Sequence, residues 1–356
     1  MGGAEKVLVD LVNNLDREKF DVTLCTVFGG ENEKRLSPGI TYKKLVKTDH
    51  PFLKRAASAV LFKALPPRKF YSLFLRGAYD VECAYLEGVN TLIIGHSSNV
   101  SAKKIAFVHS DLSQNYELAQ IYADKQACLE SYRGFDDVVF VSQKALEGFE
   151  SAVGKLDHAK MIHNVVDERE ILRKSTEPIS VEKQRFTMIT VGRLCEQKGY
   201  DRLLEAAEKL NRDGLAFDLW IFGEGKDRAA LEQYIAQHQL DNVKLMGITD
   251  NPAAYMSRAD LFVCSSRVEG YSTVLTEAAI LGLPVVTTQV AGVDEIFDSG
   301  KYALVVKNDT ESLYEGLRRV LADPGIYGQL KKNAALRKGF FSMEKSLGEY
   351  EALFLK

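Results

Sequence analysis

The sequence predicts an α/β protein of two domains, each a parallel sheet covered by helices. Length is the first reason, because 356 residues and 39.7 kDa exceed one ordinary core and suit two domains of roughly 150 to 180 residues. Alternation is the second. In the second half, apolar runs at 186–191, 217–222, 243–246, 261–263, 284–288 and 303–306 take turns with helical patterns at 201–211, 226–238, 252–256, 274–281 and 310–322. Runs that are apolar throughout mark strands buried on both faces, as in a parallel sheet between two helical layers. Composition is the third, with 46% apolar and 27% charged residues, which is globular and excludes disorder.

The first half repeats the scheme less regularly. Ala4, Val7, Leu8, Leu11, Val12 and Leu15 recur at helical spacing and predict an amphipathic helix directly after Gly2-Gly3. A glycine pair before a helix lets backbone N–H groups approach a phosphate or a sugar; the alternative is a terminus with no role. In doubly wound folds such a turn follows a strand, and here none precedes it. Either the true start lies upstream or the first sheet lacks its first strand. Strands are expected at 21–28, 40–45, 79–86, 104–111 and 138–142, a helix at 143–152, and a short apolar element at 161–167. Charged residues with little periodicity fill 168–185, where a linker is expected. A last amphipathic helix is expected over 343–354.

Bulk properties exclude several classes. A net charge of −3 gives no global attraction to nucleic acid. Cys25, Cys83, Cys128, Cys195 and Cys264 form no C-x-x-C pair, so a disulfide framework or structural zinc is not expected and a reducing cytoplasm is. No apolar run reaches the ~18 residues of a spanning helix, and no signal peptide is read at the start. The region 52–76 is different, since Lys54, Arg55, Lys63, Arg68, Lys69 and Arg76 interleave with apolar and aromatic residues and no acid. It suits either an anionic membrane surface or a surface helix pair broken at Pro66-Pro67.

The chemistry concentrates in Arg267-Val268-Glu269-Gly270-Tyr271-Ser272-Thr273-Val274-Leu275-Thr276-Glu277. The helix at 274–281 is apolar nearly all round and should be buried on every side. Glu277 falls outside the capping-box position for Ser272 or Thr273 as N-cap. It is read instead as accepting hydrogen bonds from a polyhydroxylated ligand, with the helix N-terminus open to a phosphate. Earlier, Gly192-Arg193-Leu194-Cys195-Glu196-Gln197-Lys198-Gly199 follows a strand and opens a helix. Cations are disfavoured at a helix N-terminus, so Arg193 and Lys198 suggest a bound anion such as a diphosphate; a solvated loop is the plain alternative. Gly223-Glu224-Gly225 adds a turn on the same sheet edge, weak by itself. No Asp-x-Asp motif or other acidic cluster marks a metal site, and neither metal nor cofactor is expected. Among six histidines, His109 stands out at the carboxyl end of a strand, where open parallel sheets collect ligands.

Taken together, Gly2-Gly3-Ala4-Glu5, Val108-His109-Ser110, Gly192-Arg193-Leu194 with Lys198-Gly199, and Glu269-x7-Glu277 followed by Gly282-x-Pro284-Val285-Val286 resemble the family 4 retaining glycosyltransferases of GT-B fold. The similarity covers nearly the whole chain. It implies two Rossmann-like domains facing a cleft: an acceptor-side domain over 1–167, joined by a returning helix at 341–356, and a nucleotide-sugar-binding domain over 168–340. The first domain departs from the family in lacking its first strand.

The resemblance also implies roles. Glu277 would accept the ribose hydroxyls and Glu269 would bond the donor sugar. Arg193 and Lys198 would neutralise the departing diphosphate, His109 would approach the sugar, and Gly2, Gly3, Gly223, Met246 and the Gly270-Tyr271-Ser272-Thr273 run would complete the donor site. The expected activity is metal-independent, configuration-retaining transfer of a hexose or N-acetylhexosamine from a UDP-sugar to a glycan or lipid-linked acceptor in bacterial polysaccharide synthesis. The expected location is cytoplasmic, peripheral at the inner face of the plasma membrane through 52–76. A nucleotide-sugar epimerase of GT-B fold and a non-catalytic partner protein are the alternatives.

Overall fold

The computed structural model describes residues 3–46, 50, 65–75, 77–113 and 121–355. Two compact units emerge, Met1–Val165 with Glu344–Lys356, and Val166–Met343.

The first unit runs α1 (Gly3–Asn14), β1 (Thr23–Phe28), β2 (Thr41–Val46), α2 (Pro67–Phe74), β3 (Val81–Ala84), α3 (Val89–Gly95), β4 (Lys103–Val108), α4 (Lys125–Arg133), β5 (Asp137–Phe140), α5 (Gln143–Ala152) and β6 (Ala159–Met161). The helices start where the sequence supplies caps: Asp124 accepts from the Ala127 N–H and Ser142 from the Ala145 N–H, each tying down an N–H that the first turn leaves unpaired. The strands form two parallel sheets, β1-β2 and β3-β4-β5-β6. In a doubly wound sheet the first strand lies between the second and the fourth. Among the described residues no strand occupies that place, and the strands of the first unit divide into a pair and a group of four. Phe70, Tyr71 and Ile93 from α2 and α3 pack with Val27 and Leu45, one from each strand of the pair.

The second unit runs α6 (Glu168–Ser175), β7 (Thr187–Val191), α7 (Tyr200–Arg212), β8 (Asp218–Phe222), α8 (Arg228–Gln237), β9 (Val243–Gly247), α9 (Pro252–Met256), β10 (Leu261–Cys264), α10 (Thr273–Leu281), β11 (Val285–Thr288), α11 (Val293–Phe297), β12 (Leu304–Val306), α12 (Thr310–Ala322) and α13 (Pro324–Arg337). Its strands make one parallel sheet in the order β12-β11-β10-β7-β8-β9. Both faces are closed. Met188, Leu219, Ile221, Leu261, Val263 and Val286 share a core with Leu203, Leu204, Leu313 and Leu317. The alternate residues Ile189, Trp220, Phe262 and Val285 are no more than 1% exposed, as period-two alternation requires when helices cover the other face too. Each such aliphatic burial contributes about 1.5–3 kcal/mol.

The expected linker at 168–185 is corrected by α6, which belongs to the second unit. Asp167 caps it by accepting from the Glu170 N–H, and its outer face is held by Glu170, Arg173, Lys174 and Glu177 ion pairs at helical spacing. The Arg173 guanidinium beside Glu170 holds that carboxyl down at about 2. One apolar residue, Ile171, is fully buried, packed with Ala253 and Ile280. Asn251 and Arg258 donate to the carbonyls of Lys174 and Ser175 at its end. A helix fixed by caps, salt pairs and one anchor has no apolar stripe for periodicity to detect. The element expected at 161–167 is the strand β6, displaced toward the N-terminus, ending at Met161.

Finally, α14 (Met343–Leu355) supplies the last layer of the first unit. Tyr350 stacks on Phe107 with ring centres 6.0 Å apart. Lys103 Nζ donates to the Leu353 carbonyl at 2.7 Å, a cation at a helix C-terminus where the dipole favours one.

Candidate active site

In the second unit β7 is both the first strand and a neighbour of β8 and β10, so the chain leaves it in both directions. Such a switch point opens a crevice at the carboxyl ends of the two strands, the usual ligand position in doubly wound sheets. Two loops border it, 192–199 after β7 and 265–272 after β10. From one comes Lys198, in a single turn (Glu196–Lys198) that Gly199 ends at φ 63°. From the other comes Glu269. Lys198 Nζ and Glu269 Oε1 are 2.6 Å apart, and Ser266 Oγ donates to the same oxygen at 2.6 Å. Burial disfavours the Lys198 ammonium, but the Glu269 carboxylate more than offsets it and holds the group above its ordinary value. The positive charge ahead of α7 thus has a counter-charge within the chain. Arg193 stands in the same loop with an exposed side chain and takes no part in this bridge.

The two loops are joined along their length. The Arg267 N–H donates to the Gln197 carbonyl at 2.7 Å and Gln197 Nε2 returns to the Val268 carbonyl at 3.0 Å. Arg267 forks onto Asp201 at 2.8 and 2.6 Å, and Ser265 Oγ donates to the Lys198 carbonyl at 2.9 Å. Beneath them lies Arg202, 6% exposed, donating to the carbonyls of Ser265 at 2.8 Å and Ser266 at 2.6 Å and to Asn308 Oδ1 at 2.7 Å. Sequence reasoning missed Ser266 and Arg202. A signal for Arg202 exists, because it lies in line with Ala206 and Leu210 at helical spacing on the buried face of α7, where a solvated arginine has no place.

Next to Glu269, α10 begins at Ser272. As an N-cap, Ser272 should accept from a first-turn N–H, yet it makes no such bond, and its Oγ is buried without a hydrogen-bond partner in the described structure. An unspent hydroxyl at a helix N-terminus suits an incoming anion. Glu277 lies in the second turn and is 3% exposed on a helix buried nearly throughout. Tyr271 is buried, while Gly270 and Thr273 are half-buried. Gly223 and Gly225 have a firmer explanation than ligand approach. A Cβ on Gly223, at φ 141°, would collide with the Gly192 carbonyl, and one on Gly225 with the Leu194 backbone. The Leu194 N–H bonds the Glu224 carbonyl at 2.9 Å, so these glycines let the loops after β7 and β8 lie backbone to backbone. Met246 is half-buried near the end of β9.

In the first unit, His109 follows β4 directly. Its ring lies 4.8 Å from that of Tyr85 and 6.3 Å from that of Phe107, centre to centre. Both ring nitrogens are buried, and the Tyr85 backbone is the hydrogen-bonding group beside the ring. Burial pulls the imidazole below its ordinary value, the Glu87 carboxylate opposing, and Glu87 accepts the His109 N–H at 3.1 Å. Gly3 is the first residue of α1, and Gly2 lies outside the described residues. Of the basic region, 52–64 and Arg76 also lie outside them, while α2 exposes Arg68, Lys69 and Leu73. Among the described residues no three His, Cys, Asp or Glu side chains group as metal ligands would, and no helix is long and apolar enough to cross a membrane.

The second unit is thus a doubly wound sheet with a charged crevice at its switch point and the uncapped start of α10 beside it, the place where such sheets collect ligands. The sequence family described as "Glycosyl transferases group 1" matches residues 153–337, more than half of the chain, and the protein belongs to it. A curated relative from Campylobacter jejuni, N-acetylgalactosamine-N,N'-diacetylbacillosaminyl-diphospho-undecaprenol 4-alpha-N-acetylgalactosaminyltransferase, is 26% identical over 97% of this chain and 93% of its own. The putative colanic acid biosynthesis glycosyltransferase WcaL of Escherichia coli is 32% identical over 42% of this chain and 39% of its own. Among solved structures, sucrose-phosphate synthase from Thermosynechococcus elongatus aligns with TM-score 0.77 at 19% identity, over 99% of this chain and 93% of that one. Anabaena Alr3699/HepE in complex with UDP and glucose aligns with TM-score 0.74 at 17% identity, over 100% and 96%. The fold is therefore that of the GT-B glycosyltransferases, and the family sets the protein with transferases rather than with epimerases.

Proposed function

We propose that the protein transfers a hexose or N-acetylhexosamine from a UDP-sugar to a glycan or lipid-linked acceptor in bacterial polysaccharide synthesis, without a metal and with retention of anomeric configuration. The observation that carries this reading is the bridge between Lys198 and Glu269 at the switch point, beside the open end of α10. A UDP-sugar brings two needs to such a crevice, a diphosphate that must leave as an anion and a sugar rich in hydroxyls. Lys198 and Arg193 meet the first together with the Gly270-Tyr271-Ser272-Thr273 N–H groups and the unspent Ser272 hydroxyl, stabilising charge where it develops as the anomeric bond breaks. Glu269 meets the second by accepting from sugar hydroxyls, and Glu277 accepts from the ribose. Met246 and Gly223 border the nucleotide on the same sheet edge. His109, at the carboxyl end of β4, bonds a hydroxyl of the transferred sugar.

The acceptor class is suggested by the Campylobacter relative, whose name carries a diphospho-undecaprenol substrate. Presentation at an anionic membrane surface belongs to the same reading, through Arg68, Lys69 and Leu73 on the outer face of α2 and the basic residues before it. Flotation with vesicles containing acidic lipid tests that part; equal recovery with neutral vesicles removes it. The main test is a screen of UDP- and GDP-sugars with an undecaprenyl-linked acceptor, run on the wild type and on Glu277→Ala and Lys198→Ala. Turnover is expected for one UDP-sugar with the wild type alone. Turnover like the wild type's in either variant overturns the assignment.

A further inference from the structure

We infer that Arg202 is a positioning residue for the transfer, clamping the Ser265–Ser266 backbone so that Ser266 and Lys198 both reach Glu269. The inference rests on the roles proposed above for Lys198 and Glu269. Arg202 lies in the first turn of α7, immediately after the Lys198 loop, and is buried with no carboxylate bonded to it. Its guanidinium instead spans four acceptors at two ends of the crevice floor: the Ser265 and Ser266 carbonyls, and Asn308 through Oδ1 at 2.7 Å and its carbonyl at 3.3 Å. Burying a cation against carbonyls alone is costly, and a neutral residue would serve mere packing without that cost. The fork, however, does what no packing residue can: it fixes two consecutive carbonyls at once.

Fixing them has a directed effect. The Ser266 carbonyl also receives Thr288 Oγ1 at 2.7 Å, so this residue is held from two sides and its hydroxyl is left pointing at Glu269 Oε1. Ser265, held by the same fork, keeps its own hydroxyl on the Lys198 carbonyl. Both partners of Glu269 therefore depend on the backbone that Arg202 grips. Room for the fork is provided by Gly199, where a Cβ would lie 2.7 Å from Arg202 Nε and collide with the Ser265 carbonyl.

The test uses Arg202→Lys, which keeps the charge but lacks the planar fork and its reach to Asn308, Ser266→Ala, which removes the hydroxyl bonded to Glu269, and the double variant. With donor and acceptor, each single variant is expected to lose about 10- to 100-fold in kcat, the scale of a misplaced reacting group, with KM for the donor within about twofold. The double variant should be no worse than the poorer single one, because both break one chain of contacts. A second readout needs no turnover: the rate at which an amine-reactive reagent labels Lys198 should rise at least about threefold in both variants as its hold on Glu269 loosens. Unchanged Lys198 labelling in a folded Arg202→Lys protein, or multiplicative kcat losses in the double variant, overturns the inference. An inactive wild type whose Lys198 labelling still responds to both substitutions would instead sink the proposed activity while leaving the clamp standing. Should Arg202→Lys fail to fold, Ser266→Ala with unaltered labelling and kcat is enough to refute it.

Discussion

Lys198 Nζ meets Glu269 Oε1 at 2.6 Å across the switch point of the second sheet, joining two loops that are 71 residues apart in sequence. The pair is mostly shielded from water, with side chains 21% and 9% exposed. Removing one partner leaves the other without a counter-charge. Lys198→Met should therefore cost about 3 kcal/mol of unfolding free energy, while Lys198→Met with Glu269→Gln should recover at least half of it. Neither should turn over donor, with kcat down by about 100-fold or more. Urea melts together with a donor-consumption assay check both, and they separate what the pair does for the fold from what it does for the ligand.

The folded protein holds His109 below its ordinary value of 6.5 because burial opposes the charged ring. The unfolded chain then binds the proton first as pH falls. Stability from this site is complete above about pH 6.5 and declines from there down toward the folded pKa. His109→Phe keeps the ring and cannot titrate, so its thermal midpoint should fall less than the wild type's between pH 7 and pH 5. Parallel curves for the two proteins would show that His109 is not the group responsible.

Gly199 sits at φ 63° with the Ser265 carbonyl and Arg202 where a Cβ would go. Gly199→Ala should cost about 2–3 kcal/mol, from backbone strain and from pushing apart the loops that carry Lys198 and Glu269. Gly214 also has positive φ, at 74°, but nothing lies within 4 Å of its would-be Cβ. Its alanine variant therefore isolates the conformational part of the cost and should lose roughly 1 kcal/mol. Chemical denaturation of the two variants side by side measures the difference.

UDP should raise the thermal midpoint if the crevice takes a nucleoside diphosphate. At a hundred times its dissociation constant the stabilisation is about 2.7 kcal/mol, provided the unfolded chain does not bind. Glu277→Ala should abolish the shift, and magnesium chelation should leave it in place. Loss of the shift on chelation would mean that a cation, rather than Lys198, Arg193 and the start of α10, neutralises the phosphates.

Much of the second unit's fold is legible in the sequence. All six strands of the second unit lie within a residue or two of the apolar runs, because a strand covered on both faces must be apolar throughout. Helices with a capping residue and one apolar stripe, such as α5 and α12, were bounded to the residue. The elements that escaped are those whose stability comes from elsewhere. Buried positions in α13 are Leu330, Ala334 and Arg337, and Arg337 earns its place by donating to the carbonyls of Ile296 and Glu295, which no hydrophobic pattern reports. Five-residue α11 is held at its far end by that same arginine. The loop carrying Glu269 and the charged loop at 192–199 lie at the carboxyl ends of the neighbouring strands β10 and β7, strand-end positions which the order of strand, loop and helix in the sequence implies. The partner of Lys198 could not be read, since it depends on which strand lies beside β7, a property of topology rather than of local sequence.

The returning helix α14 has a consequence for biosynthesis. Tyr350 and Leu353 complete the core of a unit whose other residues end at Val165, so a ribosome delivers the whole of the second unit before the first has its final layer. During that interval the face of Phe107 that Tyr350 will cover stays uncapped. The half of the chain made first is thus the half that matures last, and a nascent protein halted just short of Met343 would present a finished second unit tethered to an unfinished first one.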